Sequence, residues 1–389
     1  MAISRKISDF IGRASFIRKM FEEAARMRAD GQGPVYDFSL GNPDLEPPEA
    51  FRERLFAVVG DKSPGTHKYM ANVGYESTRR AVAAALEREL GLPFTADSVI
   101  MTVGAGGALN TVLKALLDDG DEVITPLPFF VEYGFYADNH GGALVKVPSR
   151  DDFQPDVEAI EAAITPQTKV LLTNSPHNPT GVVYSAEVLA ALGDLLRRKS
   201  EELGHTIYWI SDEPYRKLIY DIDRCPSLFE AYESSIMVTS HSKDLGLPGE
   251  RIGYLAISPK ADDPATLFGA MAFTNRTLGF VNAPALMQRV VEDLQEVTVD
   301  IEWYRRKRDL LYDSLTRFGY EVTKPEGAFY IFPKAPGGDD MSFVARMQEK
   351  RVLVVPGTGF GSPGYFRIAY CVDDSVIEGA LPLFEEALG

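Results

Sequence analysis

The sequence predicts an α/β protein with a large unit on a mostly parallel seven-stranded sheet and a smaller α+β part. Three observations carry this reading. Seven short apolar, β-branched runs recur at 98–103, 122–125, 143–147, 169–173, 206–211, 236–239 and 252–257. Helical periodicity fills several of the gaps, at 105–117, 156–163 and 186–203. Beyond residue 284 the pattern changes to one long helical stretch, 284–317, then short strand-like runs at 320–323, 328–332, 352–355 and 365–370. Strands that alternate with helices form parallel sheets covered on both faces, and such sheets bind ligands at the carboxyl ends of their strands.

Taken in order, the first 28 residues are basic but have no continuous apolar stretch, so an amphipathic helix or arm packed on the body is expected rather than a secretory signal. Asp9, Glu22 and Glu23 argue against a mitochondrial transit peptide. The run 98–103 leads into Gly104-Ala105-Gly106-Gly107-Ala108, a glycine-rich turn that opens a helix. Backbone N–H groups at such a turn meet anions. A dinucleotide fingerprint would need glycine at position 109, where Leu109 stands, so a nicotinamide cofactor is not expected. The runs 169–173, 206–211 and 236–239 each end at polar residues: Asn174, Asp212 and the Ser240–Lys243 stretch.

Composition narrows the function classes. With 389 residues, 45% apolar and 25% charged, the chain can bury a large core in two domains. A formal net charge of −16 argues against nucleic-acid binding, which needs clustered positive charge. No apolar run has the length of a membrane span. Two cysteines, Cys225 and Cys371, form no CxxC, so a reducing cytoplasm is the expected compartment. The five histidines lack metal-ligand spacing, and no metal is expected.

The most informative segment is Ser240-His241-Ser242-Lys243, with Arg251 eight residues after the lysine. An amine held at a strand end can form a Schiff base with an aldehyde cofactor, and a hydroxyl and a guanidinium nearby can hold that cofactor's phosphate. Upstream segments supply the rest of what pyridoxal phosphate needs. Its pyridine nitrogen must stay protonated, which calls for a buried carboxylate. Asp212 closes the apolar run 206–211 and fits that role. Tyr215 and Asn178 can donate hydrogen bonds to the ring's phenolic oxygen, which lowers the pKa of the lysine imine. A lone lysine in a turn is usually a surface residue, and a lone Asp before Pro is usually a turn residue. The combination of all these positions favours the cofactor.

The ordered series Asn178-Pro179-Thr180-Gly181, Asp212-x-x-Tyr215, Ser240-x-Ser242-Lys243 and Arg251 resembles the fold-type I aminotransferases, class I/II, of the aspartate aminotransferase superfamily. The resemblance spans Gly41 to Arg367. It implies the pyridoxal-phosphate-dependent transferase fold, with a large domain at 46–284 and a discontinuous small domain at 1–45 and 285–389. It implies a homodimer with shared sites and amino-group exchange between an L-amino acid and a 2-oxo acid. It assigns Ala105, Gly106, Ser240 and Arg251 to the phosphate, and Phe130 to the face of the pyridine ring. Tyr69, in a Tyr-x4-Gly segment, would reach the phosphate of the neighbouring subunit's cofactor. Gly41 would lie beside the substrate, and Arg367 would pair with its α-carboxylate in a two-pronged bond. Lys243 would move the proton at the α-carbon, with Asp212 and Tyr215 tuning the cofactor.

One departure bears on specificity. Some aspartate-specific bacterial members carry a lysine where this chain has Gly106, and Arg276 is the nearest match to an arginine that others lend from the partner chain. Acidic substrates are therefore an open expectation. Other reactions of the same fold, namely β-elimination, racemisation, decarboxylation and oxidation, stay open from sequence because fold does not set reaction type.

Overall fold

The computed structural model describes residues 3–12 and 16–388. Residues 1, 2, 13–15 and 389, which belong to the expected small domain, lie outside the described residues. Seven strands form the central sheet: β1 (Val99–Thr102), β2 (Glu122–Pro126), β3 (Ala143–Val147), β4 (Thr168–Asn174), β5 (Tyr208–Asp212), β6 (Ser235–Ser240) and β7 (Gly253–Ile257). Their spatial order is β1-β7-β6-β5-β4-β2-β3. β7 runs antiparallel to both neighbours, and all other pairs are parallel.

Side-chain alternation sorts each strand onto two apolar layers. Val99 and Met101 face one cluster and Ile100 the other; Met237 opposes Ile236 and Val238 in the same way. Leu189, Leu192, Leu195 and Leu196 of the helix Ala186–Leu203 cover the first face. Ala108, Leu109, Val112 and Leu113 of the helix Gly104–Leu116 cover the second. Both faces of the inner strands are buried, so those strands read as continuous apolar runs, whereas the edge strand Ala143–Val147 is only partly buried. The helix Ala186–Leu203 has clear stops. Ser185 caps its N-terminus by accepting from the Val188 N–H, and Gly204 at φ 72° closes its C-terminus.

Register then sets the site. Asn174 pairs with Asp212, and Asp212 with Val238. Gly253, the first residue of β7, pairs with both Ser240 and Thr102. The ends of β1, β4, β5 and β6 and the start of β7 therefore meet along one edge of the sheet.

A third apolar cluster contains Phe38, Leu311, Leu315, Phe343, Phe366 and Ile377. It surrounds β8 (Tyr330–Ile331), β9 (Val352–Leu353), β10 (Val355–Pro356) and β11 (Phe366–Ala369). β11 pairs antiparallel with β10 and β8, whereas β9 pairs with the short strand Tyr36–Asp37. Tyr215, Leu218 and Tyr220 belong to this cluster as well, which locks the segment after β5 against the C-terminal part.

Two sequence expectations need correction. The long helix expected at 284–317 is two helices, Ala285–Val291 and Ile301–Phe318. Asp300 starts the second by accepting from the Glu302 N–H. Between them, carbonyls freed from helical bonding are taken by Lys217, whose Nζ lies 2.7 Å from Gln295 O and 3.4 Å from Val297 O. The Val299 N–H donates to Asp244 O at 2.7 Å. These partners are distant in sequence, so helical periodicity alone could not reveal the break. The run 320–323 is not a strand. Tyr320 instead buries its ring and donates its hydroxyl to Phe384 O at 2.8 Å.

Gly181 ties the segment after β4 to the C-terminal part: its carbonyl accepts from the N–H groups of Glu326 and Gly327, both at 2.9 Å. Its φ is +75°, and a Cβ there would stand 2.6 Å from Pro325 Cβ and from Tyr330 O. Gly181→Ala should therefore destabilise the fold by about 1–3 kcal/mol through overpacking and left-handed strain. Equilibrium urea unfolding checks this, and an unchanged midpoint would contradict the close approach.

Candidate active site

A cavity of about 300 Å³ opens along the edge where the strand ends meet. Eleven of the thirteen residues expected at the site line it: Gly41, Ala105, Gly106, Phe130, Asn178, Asp212, Tyr215, Ser240, Lys243, Arg251 and Arg367.

The wall after β4 is rigid. Residues 174–184 are all buried. Asn174 Nδ2 donates to Asp212 O at 2.6 Å, and Asn174 Oδ1 accepts from the Asn178 N–H at 2.7 Å. One side chain thus holds the next strand end and the Asn178 backbone together. His177 Nδ1 lies 2.7 Å from Thr180 Oγ1, and burial pushes its pKa down to about 3, so it stays neutral.

Asp212 is the buried carboxylate. Its Oδ2 accepts from Tyr133 OH at 2.7 Å, while its buried Oδ1 has no partner. Burial pushes its pKa up to about 7, against the lowering effect of the Tyr133 hydrogen bond. An unpartnered carboxylate oxygen facing a cavity calls for a cationic N–H donor, which would pull the pKa back down.

Lys243 sits in the single turn His241–Asp244 directly after β6. Its Nζ donates to Gly41 O at 2.8 Å. Burial lowers its pKa to about 8; Cys371 opposes this, and Arg251 and Arg367 add to it. Such an amine is partly neutral near physiological pH and so nucleophilic. The turn is braced from behind. His241 Nδ1 and Lys217 Nζ lie 3.1 and 3.2 Å from Asp244 Oδ2. Burial raises the Asp244 pKa, but His241 and Lys217 outweigh it, and the carboxylate stays below its ordinary range.

Groups suited to an anion line the same cavity. Ala105 and Gly106 lie in the first turn of the helix Gly104–Leu116. Gly104 has φ +75°, and a Cβ on it would come within 3.0 Å of Arg251 Nη2. Glycine there lets the arginine approach the helix start. Arg251 itself has φ +52°, a left-handed conformation costing a non-glycine residue about 1–2 kcal/mol. Its Nη1 donates to Pro248 O at 3.0 Å, which aims the side chain back along the loop. Ser240 Oγ donates to Ser242 Oγ at 3.0 Å.

Arg367, on β11, is 2% exposed. Its Nη1 donates to Asn178 Oδ1 at 3.1 Å and its Nη2 to Ser39 O. Its buried Nε has no partner. A buried guanidinium with a spare donor beside a cavity suits a carboxylate ligand. Phe130 lines the cavity with its ring edge-on to Tyr133, centroids 5.6 Å apart.

Tyr69 and Arg276 are not brought to the cavity of their own chain. Tyr69 is 91% exposed. The guanidinium of Arg276 rests over Phe273, itself 56% exposed, at 5.2 Å. The two residues share a neighbourhood, because Asn275 Nδ2 donates to Asn72 O at 2.8 Å and Asn72 Nδ2 to Val281 O at 2.9 Å.

Sequence reasoning assigned no role to Tyr133, Asn174, Tyr136 or Tyr330. Tyr133 follows Phe130 by three residues and reads as a core aromatic until its bond to Asp212 is seen. Tyr330 lies 115 residues from Tyr215, and no local spacing connects them.

Comparison with known proteins gives the family. The family model described as aminotransferase class I and II matches residues 34–382. The aspartate/prephenate aminotransferase of Thermus thermophilus is 35% identical over 375 residues, covering 94% of each chain. Among solved structures, an amino transferase of Eubacterium rectale superposes with a TM-score of 0.96 at 40% identity, over 100% of this chain and 98% of that one. The aspartate aminotransferase of Thermus thermophilus with maleate superposes with a TM-score of 0.86 at 32% identity, over 96% of this chain and 97% of that one. The cluster of Lys243, Asp212, Arg251 and Arg367 thus sits in a chain that belongs to the class I and II aminotransferases.

Proposed function

We propose that this enzyme is a pyridoxal-phosphate-dependent aminotransferase that exchanges an amino group between an L-amino acid and a 2-oxo acid, with Lys243 as its catalytic base and acid. The observation that carries the reading is the pair of buried, unpartnered atoms, Asp212 Oδ1 and Arg367 Nε, on a cavity that also holds the Lys243 amine. They fit a ligand with a cationic nitrogen at one end and a carboxylate beside the amine. Among the described residues, no helix is long and apolar enough to cross a membrane. With two buried free cysteines, this fits a cytoplasmic enzyme of amino acid metabolism.

Pyridoxal phosphate supplies an electron sink for the bond that breaks at the substrate's α-carbon. The protein's own residues do the rest. The Ala105 and Gly106 backbone, Ser240 and Arg251 would hold the phosphate. Asp212 would hold the pyridine nitrogen in its protonated form, and Tyr133 holds Asp212 in place. Phe130 would cover the ring face. Asn178 and Tyr215 would donate to the phenolic oxygen. Arg367 would grip the α-carboxylate and turn the α-C–H toward Lys243, whose amine moves that proton. We place the domain division at 46–284 and at 1–45 with 285–389, so that Lys243 and Arg367 come from different domains.

The exposed Tyr69, Phe273 and Arg276 support a homodimer in which the partner supplies Tyr69 to the phosphate and Arg276 to the outer end of the substrate. The aspartate names of the relatives favour acidic substrates. Lys243, Arg251 and Arg367 are the cations lining the cavity in one chain, and each has another role, so a distal carboxylate would be read by the partner's arginine. A screen of amino acids against 2-oxoglutarate and pyruvate, read by cofactor absorbance, tests the reading. Failure of every donor to convert the cofactor would overturn it.

Three outcomes follow from the geometry. The cofactor-free protein should trap an aldehyde on Lys243 at a rate that rises about tenfold per pH unit up to about 8 and levels above it, as the neutral fraction saturates. Stopped-flow absorbance shows this, and borohydride reduction with peptide mapping locates the lysine; a rate still climbing at pH 10, or a label elsewhere, contradicts the assignment. Asp212→Asn should retain the cofactor but lose about 10²–10³-fold in turnover, because a neutral amide cannot stabilise a protonated pyridine. Near-normal turnover would remove Asp212 from that role. Mixing Tyr69→Ala with Lys243→Ala should restore about a quarter of wild-type activity, since half the dimers are hybrids with one intact site. No recovery despite proven subunit exchange would place the whole site within one chain.

A further inference from the structure

Tyr330, on β8, belongs to no motif, yet it touches three parts of the site. Its hydroxyl lies 2.8 Å from Tyr215 OH. Its ring lies 4.7 Å from the guanidinium carbon of Arg367, which also lies 5.0 Å from the Phe360 ring. Its hydroxyl also fills the space beside Gly41: a Cβ there would stand 1.9 Å from Tyr330 OH. The Gly41 carbonyl in turn accepts from Lys243 Nζ. One phenol therefore contacts the residue that would donate to the cofactor's phenolic oxygen, the arginine for the substrate carboxylate, and the strap opposite the reactive lysine.

We propose that Tyr330 is a positioning residue with two separable duties: its hydroxyl is the second donor behind Tyr215, and its ring is the platform that holds Arg367. The proposal rests on the cofactor reading above.

The first duty follows from counting protons. Each hydroxyl of the pair has one to give. When Tyr215 gives its proton to a phenolate acceptor, its own oxygen is left to accept, and Tyr330 is the donor within reach. Hydrogen bonds in series polarise one another, so Tyr215 becomes the better donor. Burial keeps both phenols protonated: Tyr330 is pushed up to about 12, and Tyr215 is pushed well above the ordinary phenol range. Charge on the phenolic oxygen is then stabilised, and the lysine-bound chromophore releases its proton at lower pH. The second duty follows from the stack. The Arg367 guanidinium packs against the Tyr330 and Phe360 rings while both its Nη atoms are bonded, so the Tyr330 ring helps hold the group in place.

Two variants separate the duties. Tyr330→Phe keeps the ring and removes the donor. The pH midpoint of the visible absorbance of the cofactor-loaded protein should rise by roughly 0.5–1 unit, the size of one neutral hydrogen bond, with the amino-donor KM within about twofold. Tyr330→Leu removes the ring as well. It should show the same rise and an amino-donor KM higher by about tenfold. A wild-type protein with no titrating chromophore on Lys243 would sink the cofactor reading itself. A wild type that titrates, with a Tyr330→Phe variant of the same midpoint, overturns the donor role alone. A Tyr330→Leu variant with unchanged KM overturns the platform. A residue that only supported the fold would lower the melting temperature without moving the midpoint in the Phe variant.

Discussion

The parallel pairing of Asn174 with Asp212, and of Asp212 with Val238, is the constraint on which the rest of the site depends. Strand side chains alternate between faces, so a slip of one residue in β5 would turn Asp212 away from the edge it shares with Asn174. Asn174 reinforces the register through its side chain, bonded to Asp212 O on one strand and to the Asn178 N–H on its own. The carboxylate is thus placed by the sheet, whose core residues on both faces are fully buried, and not by a mobile loop.

That placement has an electrostatic cost. Asp212, Lys243 and Arg367 all reach regions where water is scarce, and each departs from its ordinary behaviour. The carboxyl is pushed up toward 7 and the amine down toward 8, both chiefly by burial. Behind the cavity the fold offsets buried charge by pairing: Arg216 meets Glu213 at 2.7 Å, and Asp244 Oδ2 meets His241 and Lys217, although Asp244 Oδ1 has no partner. At the cavity it leaves Asp212 Oδ1 and Arg367 Nε without partners. Ten buried side-chain atoms lack a partner among the described residues, and these two belong to residues that line the cavity, within reach of a bound ligand.

The motif residues were legible because each does a local job at a strand end. Asp212 closes an apolar run, Lys243 follows one, and Gly104 opens a helix; periodicity and turn chemistry suffice to place them. Tyr133, Tyr330 and the break between the helices Ala285–Val291 and Ile301–Phe318 were not legible. In each case the partner is far along the chain: Asp212 is 79 residues from Tyr133, Tyr215 is 115 from Tyr330, and Lys217 is 78 from the Gln295 carbonyl it binds. Tyr69 and Arg276 are a different case. Their sequence context pointed to the site, but in a single chain they lie on an exposed face outside the cavity.

The sequence by itself determined the alternating strands and helices, the glycine-rich helix start, and the order of Asn178, Asp212, Lys243 and Arg251 at strand ends, because these depend on neighbours within a few residues. Only the tertiary structure decided which buried polar atoms are satisfied and which, such as Asp212 Oδ1 and Arg367 Nε, are not. It also decided which rings Arg367 packs against and why position 41 favours glycine. Those outcomes depend on side chains from distant segments competing for the same few ångströms, and no local pattern records that competition.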